Sequence, residues 1–197
     1  GVNAIVWEAD AISWRFSFVS QHAEAILGYP VARWLQEPDF WVTHVHPEDR
    51  ERAVNLFKSS TAEGRNQDFE YRMVAADGRT VWLRDVIRVV KDAAGRPKRL
   101  AGIMVDITER KRVEEKCSNI FDNAVEGIFQ TTPDGRWLTA NPAMARMLGY
   151  SSPEELMAGV PDIERNYVDS ARRREFRRLL EERGVVRGFE YQSYRKD

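Results

Sequence analysis

Apolar and polar residues alternate with a period of two in several short stretches of this chain, and that pattern is typical of half-buried β-strands. The clearest stretch is 68–74, in which Phe69, Tyr71 and Met73 are separated by charged residues. It is followed by a turn, Asp77-Gly78, of the kind that joins two antiparallel strands. Similar patterns predict further strands at residues 4–8, 14–20, 81–90 and 100–106.

Between the second and third predicted strands, apolar residues recur every three or four positions, as on one face of a helix. One such helix ends at Gly28, and another begins at His46-Pro47-Glu48-Asp49, where proline and two carboxylates suit the first turn. The order is therefore two strands, helices and three strands. We expect an α+β fold in which all five strands form one antiparallel sheet, with the helices on one face and the last strand beside the first.

The chain repeats this scheme. Leu27-Gly28-Tyr29 returns as Leu148-Gly149-Tyr150, and Phe69-Glu70-Tyr71 returns as Phe189-Glu190-Tyr191, with the spacing between the two motifs nearly unchanged. Chance matches would not keep their spacing, so the pattern indicates two related domains. We assign the first domain to residues 1–108, a linker helix to residues 109–122 and the second domain to residues 123–197.

The second copy is shorter than the first. Asp197 matches Asp77, so the counterparts of the strands at 80–90 and 100–106 are absent from this sequence. We predict that residues 185–194 form the first of the three expected strands. The remaining strands are expected from a longer parent chain or from a neighbouring chain.

The near-neutral composition gives no electrostatic reason to expect a nucleic-acid or membrane partner. The chain is 43% apolar and 31% charged with a formal net charge of −1, so nothing favours nucleic acid or an anionic membrane. The basic stretch 172–178 precedes Glu181 and Glu182, which suits a solvated helix face with i,i+4 ion pairs. No apolar run is long enough to span a membrane, and the single Cys117 excludes an internal disulfide. We expect a cytoplasmic segment.

Several motifs resemble the PAS fold with its C-terminal PAC portion. In chain order they are Ala25–Tyr29, Val45–Arg50, Phe69–Arg72, Asp77-Gly78 with Trp82, and Asp106–Lys111, and in the second copy Asn141–Ala143, Met147–Tyr150 and Phe189–Tyr191. The resemblance covers nearly the whole chain. It implies two tandem sensory domains, without enzymatic activity of their own, in the input region of a bacterial signal-transduction protein.

The same resemblance implies a route for the signal. In such domains the last strand passes into a signalling helix, here at Asp106, Ile107 and Thr108. We expect Asp106 to accept hydrogen bonds and Thr108 to cap the helix. The expected output domain is C-terminal, either a GGDEF diguanylate cyclase or the histidine kinase of a two-component system, and the sequence does not choose between them.

We also expect a ligand pocket in the first domain. The residues assigned to it are Trp7, Phe18, Leu27, Trp41, Phe69, Tyr71, Trp82 and Ile103. A small organic ligand or an empty pocket is favoured, and no catalytic or metal site is expected. FAD is an alternative because aromatic side chains could stack its ring, although the motif of photoreactive flavin-binding cysteines is absent. Haem ranks lower because only His22, His44 and His46 could ligate it. A flavin- or haem-bearing redox or gas sensor is the alternative function.

Two surfaces suggest a homodimer. Both faces of the 81–90 strand carry apolar residues, and we assign one set to an outer, dimer-forming face: Val81, Leu83, Ile87 and Val89. In the linker, Val113, Cys117 and Ile120 form a narrow apolar seam. The seam suits pairing with a partner helix, and docking on one of the sheets is the alternative.

Overall fold

The computed structural model describes residues 3–196. The chain divides into two compact units, Gly1–Val113 and Glu114–Asp197. Each unit has its own sheet and its own cluster of buried apolar side chains. Within the described residues, no helix is long and apolar enough to cross a membrane.

The first unit is one five-stranded antiparallel sheet with helices between its second and third strands. Its elements are β1 (Ala4–Asp10), β2 (Phe16–Val19), α1 (His22–Leu27), α2 (Val31–Gln36), α3 (Phe40–His44), α4 (Pro47–Ala62), β3 (Gln67–Val74), β4 (Thr80–Lys91), β5 (Pro97–Asp106) and the start of α5 (Thr108–Asn123). The strand order is β2-β1-β5-β4-β3. The predicted single sheet, with the last strand beside the first, is confirmed.

The start of α4 is fixed against the sheet edge by charge. The carboxylate of Asp49 accepts hydrogen bonds from the backbone N–H of Arg72 at 2.9 Å and from its guanidinium at 2.8 Å. These bonds lower the pKa of Asp49, because they stabilise its ionised form. Both residues lie at least partly buried, so this pair joins helix α4 to strand β3.

The core lies on the inner face of the sheet, under the helices. Strand β1 buries Ile5 and Trp7 there, and β5 buries Met104. Trp7 faces Gly102 across the β1–β5 ladder, and a Cβ at Gly102 would come within 2.5 Å of the Trp7 ring. Glycine is therefore required at this position by the close approach of an indole.

The structure corrects the predicted orientation of β4. Val81, Leu83, Ile87 and Val89, assigned to an outer dimer face, are buried in the core. The alternation of β4 alone could not settle this orientation, because both faces carry apolar residues. The ladder settles it: Leu83 lies opposite Tyr71 and Val81 lies opposite Met73, so both join the inward face of β3.

The residues on the outer face of β4 and β5 also differ from the prediction, because two of them were expected to face the core. Trp82 lies on the outer face opposite Arg72, Val86 lies opposite Ile103, and the exposed fractions of Val86 and Ile103 are 44% and 45%. The assignment of Trp82 and Ile103 to the ligand pocket is therefore wrong. Gly102 and Met104 occupy the inward positions of β5 instead.

Phe18 was also assigned to the pocket and lies outside it. The β1–β2 ladder shifts register between Glu8 and Ala9, so that Ser17 is an extra residue between Phe16 and Phe18. Phe16 pairs with inward Ala9, whereas Phe18 pairs with Glu8 and is 49% exposed. A β-bulge of this kind interrupts the period-two alternation on which the prediction relied.

The second unit begins within α5 and is less regular. Its elements are β6 (Phe129–Thr131), β7 (Trp137–Ala140), α6 (Pro142–Met147), α7 (Pro153–Gly159), a 3-10 turn (Ile163–Asn166) and α8 (Ser170–Arg183). Strands β6 and β7 form a two-stranded sheet, and the buried Asn141 caps α6 by accepting from the N–H of Met144 at 2.9 Å.

The strand predicted at residues 185–194 does not form. In this range the structure describes one isolated β-bridge, between Ser193 and Tyr167, and single backbone hydrogen bonds such as the one from the N–H of Val168 to the carbonyl of Gln192. In the first unit the equivalent strand β3 is held along its whole length by β4. Within residues 3–196 no strand pairs with the 185–194 segment, so the segment lacks the ladder partner that makes an extended chain a strand.

Candidate ligand pocket and signalling helix

The first unit contains a cavity of about 120 Å³ between the inner face of the sheet and the helices. Seven aromatic side chains border it: Trp7, Trp14, Phe16, Trp34, Phe40, Trp41 and Phe57. Charged side chains also border it: Arg15, Glu37, Asp39 and Asp85. The cavity is therefore mainly aromatic, with more carboxylates than cations around it.

Asp85 is the buried polar centre of this region. It projects from β4 toward the core, and only 1% of its surface is exposed. The indole Nε1 of Trp7 donates to its Oδ1 at 3.1 Å, and the hydroxyl of Tyr71 donates to its Oδ2 at 3.2 Å. Burial raises the pKa of Asp85 to about 7, and the two hydrogen bonds offset only part of that effect.

A chain of hydrogen bonds leads from this carboxyl across the cavity wall. The Nε1–H of Trp41 donates to the hydroxyl oxygen of Tyr71 at 2.8 Å, and Tyr71 in turn donates to Asp85. Burial raises the pKa of Tyr71 well above its usual range, so its hydroxyl stays protonated and acts as the donor. Helix α3, strand β3 and strand β4 therefore meet through three buried polar groups.

One indole of the wall has an unused donor. The Nε1–H of Trp34 is buried and has no hydrogen-bond partner among residues 3–196. A buried donor without a partner costs about 1 to 3 kcal/mol. The position is therefore one where packing around the cavity outweighs hydrogen bonding.

Backbone strain is also concentrated at the cavity. Trp14 and Asp39 are the non-glycine residues of the described chain with positive φ, at 59° and 57°. Both border the cavity. The left-handed region is tolerated by aspartate but unusual for a residue as bulky as tryptophan, and such strain occurs preferentially at functional sites.

The structure brings together only part of the predicted pocket. Trp7 and Trp41 border the cavity, and Tyr71 contacts it through Asp85. Leu27 and Phe69 are buried in the core but do not border the cavity. Phe18, Trp82 and Ile103 lie on the outer face, as described above.

Sequence reasoning missed Asp85, Trp14 and Trp34. A signal for Asp85 exists in the sequence, since it is the charged member of an otherwise apolar alternating set, Val81, Leu83, Ile87 and Val89. No comparable signal marks Trp34. It lies in an aromatic-rich stretch without periodicity that folds into the two short helices α2 and α3.

Neither haem nor FAD fits the cavity as it stands. Pockets for ligands of drug size have volumes of roughly 300 to 1,000 Å³, and this cavity has about 120 Å³. None of the three histidines borders it in the part of the chain that the structure describes. His44 instead stacks on Phe40 with ring centroids 4.1 Å apart. Across residues 3–196 no cluster of metal-ligating side chains occurs either.

Helix α5 is joined to β4 at Trp82. The backbone N–H of Ile107 donates to the carbonyl of Trp82 at 2.9 Å, and the backbone N–H of Trp82 donates to the Thr108 hydroxyl at 3.0 Å. The carboxylate of Asp106 accepts from the N–H of Thr108 at 2.9 Å. The Thr108 hydroxyl thus binds β4 rather than capping its own helix, and Asp106 satisfies the helix start.

Charged contacts add to this junction. Glu70 on β3 lies 2.5 Å from Arg110 and 2.8 Å from Lys111. The Lys111 ammonium also lies 5.1 Å from the centroid of the Trp82 ring. The two cations lower the pKa of Glu70 by stabilising its carboxylate. The first turn of α5 is therefore held by both β3 and β4.

Beyond its first turn α5 is exposed. The seam residues Val113, Cys117 and Ile120 are exposed, and none of the helix residues that the structure describes is buried. On the sheet, the exposed apolar residues of the outer face are Val6, Phe18, Val86 and Ile103. We call these four the outer patch.

The basic stretch of α8 carries its own counter-ions. Arg172 lies 2.6 Å from Glu175, and Arg178 lies 3.3 Å from Glu182. The expected i,i+4 pairing is therefore confirmed for Arg178, and the stretch forms a charge-paired helix face.

Comparison with known proteins agrees with this architecture. Two family models described as PAS fold match the chain, one over residues 16–104 and one over residues 115–193. Among curated proteins, the chain is 26% identical over 182 residues to the sensor protein FixL of Bradyrhizobium diazoefficiens, covering 86% of this chain and 35% of that protein. It is 28% identical over 147 residues to the two-component sensor PprA of Pseudomonas aeruginosa, covering 71% of this chain and 16% of that protein.

Among solved structures, the N-terminal domain of a diguanylate cyclase with a PAS/PAC sensor from Marinobacter aquaeolei is 36% identical with a TM-score of 0.52, covering 55% of this chain and 98% of that chain. A sensory box histidine kinase/response regulator from Burkholderia thailandensis is 28% identical with a TM-score of 0.50, covering 60% and 88%. The chain spans about a third or less of the curated relatives named above. From its sheet, its repeat and these matches, the chain belongs to the PAS-fold family and carries two PAS sensory domains in tandem.

Proposed function

We propose that this chain is the input region of a bacterial sensor protein and that the state of the first-domain cavity is passed to a C-terminal output domain through α5. In this proposal the PAS domains bind and relay, and any enzymatic activity belongs to the output domain. A cytoplasmic location belongs to the proposal, since a single exposed cysteine suits a reducing compartment.

The observation that carries the proposal is the double role of β4. Asp85 borders the cavity, and Trp82, three residues earlier on the same strand, holds the start of α5 by two backbone contacts. A change in the hydrogen bonds of Asp85 would shift β4, and β4 cannot shift without changing how α5 leaves the sheet.

The identity of the output domain rests on the relatives. FixL and PprA are named as sensor proteins, and the two solved relatives are described as parts of a diguanylate cyclase and of a histidine kinase/response regulator. We therefore propose either a GGDEF diguanylate cyclase or a two-component histidine kinase as the output. Nothing in the described residues favours one of the two.

We further propose that the region works as a homodimer. The exposed seam of α5 would pair with the seam of a second copy, as apolar seams of long helices do. The outer patch would form a second contact, because exposed apolar patches on a sheet favour a partner.

A spin label at Glu115→Cys in a Cys117→Ser background tests this proposal, since Cys117 is the only natural cysteine and the exposed Glu115 lies on α5 away from the seam. Pulsed electron–electron double resonance should show a narrow distribution of distances between the two labels of a dimer. That distance should differ between about pH 6 and about pH 8.5, below and above the pKa of Asp85. A strictly monomeric protein, shown by sedimentation at high concentration, would contradict the dimer, and a distance independent of pH in both wild type and Asp85→Asn would contradict the relay.

A further inference from the structure

We propose that the first-domain cavity binds a small organic cation, an ammonium or amidinium group on an apolar body of about the size of benzene. The inference rests on the proposed sensory function of this cavity and specifies its ligand. It follows from three features of the wall: its aromatic lining, a buried acid without a cationic partner, and its overall charge.

The first feature is the aromatic lining. Seven aromatic side chains border the cavity, and four of them are indoles: Trp7, Trp14, Trp34 and Trp41. The electron-rich faces of aromatic rings attract cations, tryptophan most strongly, and a site built mainly from such rings is the usual means by which proteins recognise ammonium ligands. An anion would be repelled by the same faces.

The second feature is the unpaired charge of Asp85. Its two hydrogen-bond donors, Trp7 and Tyr71, are both neutral, and no cationic side chain forms a hydrogen bond or ion pair with it in the described part of the chain. A carboxylate has about four acceptor positions, of which these donors fill two. A buried carboxylate is costly unless it is paired, so an entering ammonium group would both fill the free positions and neutralise the charge.

The third feature is the charge of the remaining wall. Glu37 and Asp39 border the cavity together with one cation, Arg15. Glu37 is already paired with Arg33, at 2.5 Å, whereas the side chain of Asp39 makes no capping hydrogen bond to helix α3. The residues that border the cavity therefore carry a net negative charge when Asp85 is ionised, which favours entry of a cation over an anion. Two cations lie just behind this border, Lys58 at 5.2 Å from the Trp14 ring and Arg33 at 5.5 Å from the Phe40 ring, so the faces of the other rings are the ones open to a ligand.

The size of the ligand follows from the volume. An engineered apolar cavity of about 150 Å³ binds benzene, and this cavity has about 120 Å³. A single ring or a short branched chain with one charged group fills such a space. Nucleotides, flavins and tetrapyrroles are too large for it.

Three probes of nearly equal shape and different charge test the inference: benzylammonium, benzyl alcohol and benzoate. Isothermal titration calorimetry on the full chain at about pH 8, where Asp85 is ionised and benzylammonium keeps its proton, measures their affinities. We expect benzylammonium to bind at least about tenfold more tightly than benzyl alcohol, and benzoate to bind most weakly. From about pH 8 to about pH 5.5, benzylammonium should lose about tenfold in affinity while benzyl alcohol changes little, because Asp85 takes up a proton over this range.

Variants separate the carboxylate from general effects. Asp85→Asn should remove the preference for benzylammonium and leave benzyl alcohol binding, whereas Asp68→Asn, an exposed acid on the outer face of the sheet, should change neither affinity. If Asp85→Asn does not fold, the pH dependence of the wild-type affinities carries the same test. Equal binding of the cation and the alcohol, preferred binding of benzoate, or no binding of any probe would overturn the inference. Tight binding of benzyl alcohol alone would overturn the inference but would support the cavity as a sensory ligand site. The distance between spin labels on α5 tests the relay separately.

Discussion

Asp85→Asn should remove a pH dependence of stability that the wild-type protein carries around neutral pH. The carboxyl of Asp85 is buried between Trp7 and Tyr71, and burial raises its pKa to about 7 from an ordinary value of 3.8. Asparagine keeps the shape and one acceptor but cannot ionise. The comparison of the two proteins therefore isolates the cost of a buried negative charge.

The magnitude follows from linkage. Between the unfolded and folded pKa values the folded state binds one more proton than the unfolded state, so stability falls as pH rises. The contribution of Asp85 is fully present below its ordinary pKa and is lost as pH rises through about 7. The rise in the pKa of Asp85 from 3.8 to about 7 corresponds to about 4 kcal/mol of stability over the full pH range, and about 2 kcal/mol of this is lost between about pH 5.5 and pH 8.5.

Urea unfolding of the full chain, followed by tryptophan fluorescence, measures this difference. All tryptophans except Trp137 lie in the first unit, so the signal reports mainly on the domain that contains Asp85. Both proteins share the three histidines, whose contributions cancel in the difference between the two curves. A wild-type curve that parallels the Asp85→Asn curve from about pH 5.5 to 8.5 would refute a buried, proton-binding Asp85.

Three further substitutions test the fold around the cavity and the helix junction. Gly102→Ala places a Cβ within 2.5 Å of the Trp7 ring and should lower the free energy of unfolding by about 1 to 3 kcal/mol, measured by urea unfolding, whereas the neighbouring, less buried Ala101→Gly should cost less. Asp49→Asn breaks the partly buried contact with Arg72 and should cost about 2 kcal/mol near neutral pH, a loss that shrinks as pH falls through the lowered pKa of Asp49. Asp77→Asn, which breaks an exposed pair with Arg79, should cost less and serves as the control. Thr108→Val leaves the N–H of Trp82 without its acceptor and should speed hydrogen exchange of that amide, with unchanged exchange at the amide of Tyr71 as the control.

The sheet of the first domain could be predicted because its signals are local. Phe69, Tyr71 and Met73 alternate with charged residues, and His46-Pro47 marks a helix start that requires no tertiary contact. The orientation of β4 could not be predicted from its own sequence, because the neighbouring residues Val81 and Trp82 are both apolar and lie on opposite faces of the strand. The information lies in the pairing with β3, which is a contact between strands rather than a pattern within one.

The cavity was harder to predict than the sheet. Two of its tryptophans, Trp34 and Trp41, lie in short helices whose apolar residues show no clear period. Trp14 adopts a positive φ, which no sequence pattern predicts. The role of Asp85 depends on burial, which raises its pKa only once the surrounding strands and helices have assembled. In the second domain, residues 185–194 have the composition of a strand but pair with no neighbouring strand in the part of the chain that the structure describes.

The central claim, that the cavity is coupled to α5 through β4, is tested most directly by the backbone amide signals at the helix start. In a ¹⁵N NMR titration, the amides of Trp82, Ile107 and Thr108 should shift with a midpoint at about pH 7, the value at which Asp85 ionises. In Asp85→Asn these shifts should vanish, while the amides of the exposed loop around Gly95 should titrate alike in both proteins. Amides at Trp82 and Thr108 that titrate identically with and without the Asp85 carboxyl would contradict the coupling.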